Sequence, residues 1–114
     1  MNLPTLTVMF YASENGNEPV RDWLRSLSPD EKRAIGEDVK TVQFGWPLGM
    51  PLVRKLDKDL WEVRIHLVNK IARILFTVQG AEMVLLHGFI KKSQATPKED
   101  LTLAKQRLKQ VRGK

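Results

Sequence analysis

The sequence predicts a single α+β domain: an N-terminal strand and two helices, then an antiparallel β-meander, then a C-terminal helix. Three observations carry that prediction. Residues 60–92 run through three apolar stretches separated by turn residues, and the first two alternate with period two, the pattern of adjoining strands. Ser28-Pro29-Asp30-Glu31 and Thr96-Pro97-Lys98-Glu99 each place a hydroxyl residue, a proline and a glutamate where a helix starts. A length of 114 residues, 42% hydrophobic and 28% charged, suits one core and not two, so residues 1–114 read as one domain.

Taken in order, Leu6 to Tyr11 (LTVMFY) is β-branched and aromatic, as strands are. Ala12 to Asn17 is a turn. Pro19 stands near the start of a short helix that presents Val20, Trp23, Leu24 and Leu27 to the core. The second helix opens on a capping box, with Ser28 as N-cap and Glu31 at N3, and carries Ala34, Ile35, Asp38, Val39 and Val42 along one side. Gly45-Trp46-Pro47 ends it. Residues 47–59, with two prolines and a glycine, read as a loop with a short extended segment. In the last helix Leu101, Ala104, Leu108 and Val111 form one packed stripe.

Within the meander, Trp61, Val63, Ile65 and Leu67 face one way, and Glu62, Arg64 and His66 the other. Asn69-Lys70 and Gln79-Gly80 read as two-residue turns. The first would pair Val63 with Phe76, Ile65 with Ile74 and His66 with Arg73, leaving Arg64 diagonal to Arg73. Two guanidiniums and an imidazole then share an open polar face, with Arg73 off the core. Charges so close repel unless Glu62 or a bound anion neutralises them. A polyanion fits that face, and so does a solvated surface on which Glu62 pairs with Arg64. The second turn would pair Ala72 with His87, placing His87 on the apolar face as a hydrogen-bonded core residue. It also puts Lys92 on the Arg73 face, unless a bulge at Gly88 exchanges it for Lys91.

The net charge of +6 is unevenly spread. Residues 1–90 hold 11 basic and 11 acidic side chains. Residues 91–114 hold eight basic ones (Lys91, Lys92, Lys98, Lys105, Arg107, Lys109, Arg112, Lys114) against Glu99 and Asp100. Such asymmetry suits a nucleic acid or an acidic protein. The absence of cysteine excludes disulfides, thiolate catalysis and Cys-ligated zinc. With His66 and His87 the only histidines, neither metal nor cofactor is expected. The N-terminus has no basic-then-apolar signal, and no apolar run nears the roughly 20 residues of a membrane span. A cytoplasmic protein without a membrane partner is expected.

The strands LWEVRIHL and ARILF, the order of elements and above all LLHGFIKKSQATPKEDLTLAKQR resemble the phage-derived, HigB-like branch of the RelE/ParE toxin superfamily. The likeness begins around EPVRDWLRSLSPDEK and runs through the last helix. The resemblance implies a RelE-like fold and a toxin of a type II toxin–antitoxin pair. RelE- and HigB-like members cleave mRNA, commonly on the ribosome, whereas ParE-like members poison gyrase. It further implies a cognate antitoxin of helix-turn-helix type as partner, and mRNA as target. By the same likeness Arg64 stands where a strand lysine or arginine is expected, Arg73 matches the arginine of the next strand, and Lys91 or Lys92 matches the basic residue after the last long strand. The chain departs from the pattern at SQATP, which has neither the tyrosine nor the histidine of many relatives.

RNA can be cut without a metal when its 2′-hydroxyl attacks the adjacent phosphate. The enzyme then moves protons and stabilises the phosphorane's charge. Arg64, Arg73 and Lys92 suit that charge, and His66 or Glu62 could carry the proton. The expected catalytic set is therefore Arg64, His66, Arg73 and Lys92. Arg54, Lys55 and Lys91 add charge for substrate binding, and Phe89 either stacks on a base or packs in the core. Three functions follow, in this order: a metal-independent mRNA endoribonuclease, a non-catalytic inhibitor of an essential protein, and a non-toxic nucleic-acid-binding module that uses the basic helix.

Overall fold

A computed structural model of the chain describes residues 3–92 and 95–113. Ser93 and Gln94 of the SQATP stretch, and Lys114 of the basic tail, lie outside the described residues. The elements are β1 (Thr7–Phe10), α1 (Pro19–Arg25), α2 (Pro29–Gly45), β2 (Val53–Asp57), β3 (Leu60–Leu67), β4 (Lys70–Gln79), β5 (Glu82–Lys91) and α3 (Lys98–Arg112). This is the α+β order read from the sequence, and it is compatible with a RelE-like fold. The short extended segment expected before the meander is a five-residue edge strand, β2.

The five strands lie in the order β1-β5-β4-β3-β2, with β1 parallel to β5 and every other pair antiparallel. Val20 of α1 and Ile35, Val39 and Val42 of α2 pack with Val63, Ile65, Ala72, Ile74, Phe76, Met83 and Leu85 on one face. Ala104 and Leu108 of α3 pack with Tyr11, Leu60, Leu75, Val84, Leu86 and Phe89 on the other. The sheet is thus covered on both sides, and in the central strand β4 every residue from Ile71 to Thr77 is buried. The polar face expected to be open is instead roofed by α3, because the apolar stripe of that helix needs a surface and Leu75, Val84 and Leu86 supply it.

The capping box of α2 forms as read, with Ser28 and Glu31 each satisfying the other's backbone N–H. Both hairpin loops differ from expectation by one residue. Val68 and Asn69 close β3–β4, with Asn69 at φ +60, while Gly80 and Ala81 close β4–β5, with Gly80 at φ +57. The left-handed position falls inside each loop on the residue that tolerates it. Val63 therefore pairs with Ile74, Ile65 with Ala72, Arg64 with Arg73 and His66 with Ile71. These shifts of two keep each residue on its expected face.

A bulge at Leu86, between the pairs Phe76–Leu85 and Leu75–His87, does not keep faces. It turns His87, Phe89 and Lys91 toward α3. Gly88 is not the bulge. It lies under Trp23 of α1, where an added Cβ would sit 2.5 Å from the indole.

Helix α3 is tied down by much of its own charge. Lys105 pairs with Asp57 at 2.9 Å, Arg112 pairs with Asp59, Arg107 donates to the Leu86 carbonyl at 2.8 Å, and Tyr11 donates to Gln110. Among the described residues no helix is long and apolar enough to cross a membrane.

Candidate functional site

Arg54 stands opposite Glu62, and Arg64 opposite Arg73, so arginines from β2, β3 and β4 crowd one carboxylate. Glu62 and Arg73 are fully buried, at 0% exposure. Arg64 Nε lies 3.2 Å from Glu62 Oε1, and Arg73 Nη1 lies 4.0 Å from Oε2. A lone buried carboxylate costs several kcal/mol in lost hydration. Two guanidiniums offset that, and the repulsion between them is offset in turn by Glu62. Burial pulls the Arg73 guanidinium below its ordinary range, and the Glu62 charge opposes that pull while Arg64 and Arg54 reinforce it. Arginine's range is high enough that the side chain stays charged.

The chain returning from β5 to α3 is latched onto this pair. Arg73 Nη1 donates to the Ala95 carbonyl at 2.8 Å, and Thr96 Oγ1 donates to Glu62 Oε2 at 2.7 Å. Thr96 is therefore not the side-chain cap of α3 that its sequence position suggests. The N-cap is Pro97, with no side-chain capping bond.

Next along β5, His87 and Phe89 stack with centroids 5.3 Å apart. The Arg73 guanidinium and the Lys91 ammonium lie 5.9 and 6.0 Å from the Phe89 ring centroid, within cation–π range. Asp100, in the first turn of α3, serves two partners. Its Oδ1 is 2.6 Å from His87 Nε2 and its Oδ2 is 3.2 Å from Lys91 Nζ. Four cationic residues thus gather here against two carboxylates.

Arg54, Arg64, Arg73, Phe89 and Lys91 are brought together, and three other sequence-predicted residues are not. Lys55 pairs with Trp61 on the opposite face, its ammonium 5.9 Å from that ring's centroid. Lys92 is exposed just past the end of β5, because the bulge at Leu86 gives Lys91 the Arg73 face. His66 is exposed in a groove lined by Ser28, Glu31, Ala34, Val68 and Lys70, since the hairpin end reaches the start of α2, where Lys70 pairs with Glu31 at 2.6 Å. The Asp38 carboxyl is raised by burial and by the neighbouring Glu37 charge, and His66 partly lowers it.

Two further expectations are corrected. Arg73 lies in the core and not off it, and His87 lies on the charged face and not the apolar one. Asp100 and Thr96 were missed as site residues because each has an ordinary role at a helix start. The one sequence hint for His87 is Val84-Leu85-Leu86, an apolar run that does not alternate. Among the described residues no three His, Asp or Glu side chains are grouped to hold a metal ion.

A family model described as Phage derived protein Gp49-like (DUF891) matches residues 22–109, most of the chain and all of this cluster. Among curated proteins no match is found.

Proposed function

We propose a function from one premise: the chain belongs to the Gp49-like family of phage-derived proteins, a family related to RelE toxin-like proteins. It acts as the toxin of a toxin–antitoxin pair, and its target is RNA, cut without a metal and on the ribosome. A protein antitoxin encoded beside it neutralises it. The observation that carries this reading is the meeting of Arg54, Arg64 and Arg73 around the single carboxylate of Glu62, with Lys91 alongside.

The roles follow from burial. Exposed Arg54 and Lys91, together with Arg64 at the cluster's edge (12% exposed), supply the positive charge that a phosphate oxygen needs in the transition state. Arg73 and Glu62, fully buried, form the floor that orients Arg64. Lys91 replaces Lys92 in this site, and His66, in the groove at the hairpin end, has no part in it.

The test is induced expression in bacteria with 5′-end mapping of cellular mRNA. Growth arrest with new cuts at in-frame codon positions is the expected result. Arrest with intact mRNA would overturn cleavage and favour binding of an essential protein. Absence of arrest would overturn the toxin reading.

A further inference from the structure

We infer, resting on the cleavage reading above, that His87 and Asp100 are its proton-transfer pair. The expected proton carriers do not suit the task. His66 lies in the α2 groove, and Glu62 is fully buried, holding Arg64 and receiving the Thr96 hydroxyl. His87 differs on both counts. It stands on the charged face, two positions along β5 from Phe89, which Arg73 and Lys91 flank, and its side chain keeps 15% of its surface exposed.

Asp100 Oδ1, 2.6 Å from Nε2, accepts a hydrogen bond from the Nε2–H. In the neutral ring this leaves Nδ1 as the acceptor, and the carboxylate also stabilises the imidazolium that forms when Nδ1 takes a proton. The other oxygen of Asp100 holds Lys91 at 3.2 Å, which ties a phosphate-binding cation to the base. The charged groups around the imidazole are Asp100 from α3, Lys91 from β5, Arg73 from β4 across Phe89, and Arg107, which is held on the Leu86 carbonyl.

In the reaction, Nδ1 takes the 2′-hydroxyl proton and the 2′-oxygen bonds to phosphorus. The bond from phosphorus to the 5′-oxygen breaks, and the imidazolium returns its proton to that oxygen. The products are a 2′,3′-cyclic phosphate and a 5′-hydroxyl, with no net proton change. His87 is the catalytic residue and Asp100 a positioning residue.

The test uses the purified full chain on ribosomes programmed with a short mRNA, and on a copy carrying 2′-deoxyribose at the cut site. His87→Gln is expected to cut roughly 100-fold more slowly while binding the deoxy copy as the wild type does. Asp100→Asn, which keeps the imidazole and removes the carboxylate that orients it, is expected to cut more slowly than wild type and faster than His87→Gln, with binding of the deoxy copy unchanged. A His87→Gln protein that cuts within twofold of wild type overturns the inference and leaves the cleavage reading standing. So does a rate loss matched by lost binding of the deoxy copy, which marks a structural anchor. If His87→Gln does not fold, a folded Asp100→Asn protein that cuts within twofold of wild type overturns it equally. A wild type that cuts neither free nor ribosome-bound mRNA overturns the cleavage reading itself, and the inference with it.

Discussion

Thr96 gives its hydroxyl to Glu62 Oε2 at 2.7 Å, 34 residues away in sequence, and not to the first turn of its own helix. The bond joins the start of α3 to the carboxylate that holds Arg64 and Arg73. Thr96→Val keeps the shape and removes the donor from a buried charge, which costs about 1–3 kcal/mol. Urea denaturation should show that loss, and Thr96→Ser should recover most of it. Equal stability of the Val and Ser variants would mean that water replaces the hydroxyl without penalty.

Arg73 and Arg54 belong to one cluster but should fail differently. Removing buried Arg73 leaves Glu62 short of a partner, so Arg73→Ala is expected to lose about 3–5 kcal/mol and much of its soluble yield. Arg54 is exposed, so Arg54→Ala should unfold at the wild-type temperature and bind single-stranded RNA less tightly. The slope of log affinity against log salt should shrink by about 0.7 for the one lost phosphate contact. A stable Arg73→Ala protein would contradict the part assigned to the buried pair.

Gly88 lies against the Trp23 indole, with no room for a methyl group. Gly88→Ala should therefore destabilise by about 1–3 kcal/mol through overpacking. Trimming the indole should relieve it, so a double-mutant cycle with Trp23→Leu should be strongly non-additive. Additive losses would show that the two positions do not press on one another.

Glu31 offers a pH test away from the proposed site. Its bond to Lys70 at 2.6 Å, with the Ser28 backbone N–H next in weight, holds its carboxyl at about 2, against 4.5 in the unfolded chain. The folded value is the lower one, so the contribution is complete above about pH 4.5 and disappears as pH falls through about 2. Lys70→Met should move the Glu31 carboxyl back toward 4.5, read by NMR titration of its side-chain carbon, and should flatten the acid limb of stability in that window. An unmoved Glu31 titration would assign the shift to the cap alone.

The sequence by itself determined the elements, because their signals are local. Ser28 and Glu31 sit three residues apart and close a capping box whatever lies beyond them. Leu101, Ala104 and Leu108 mark a helix stripe without naming the surface it covers. The two faces of β3 were legible too, since alternation survives a shift of two in register. Only the tertiary structure decided which faces are buried. Arg73 reads as a surface residue until α3 closes over Leu75 and Leu86, and His87 reads as core until one extra residue at Leu86 turns the rest of β5 over. The meeting of Thr96 with Glu62, and of Asp100 with His87, was equally hidden. These contacts join segments distant in sequence, and they form because a sheet and a helix bury a shared apolar surface, which no local pattern encodes.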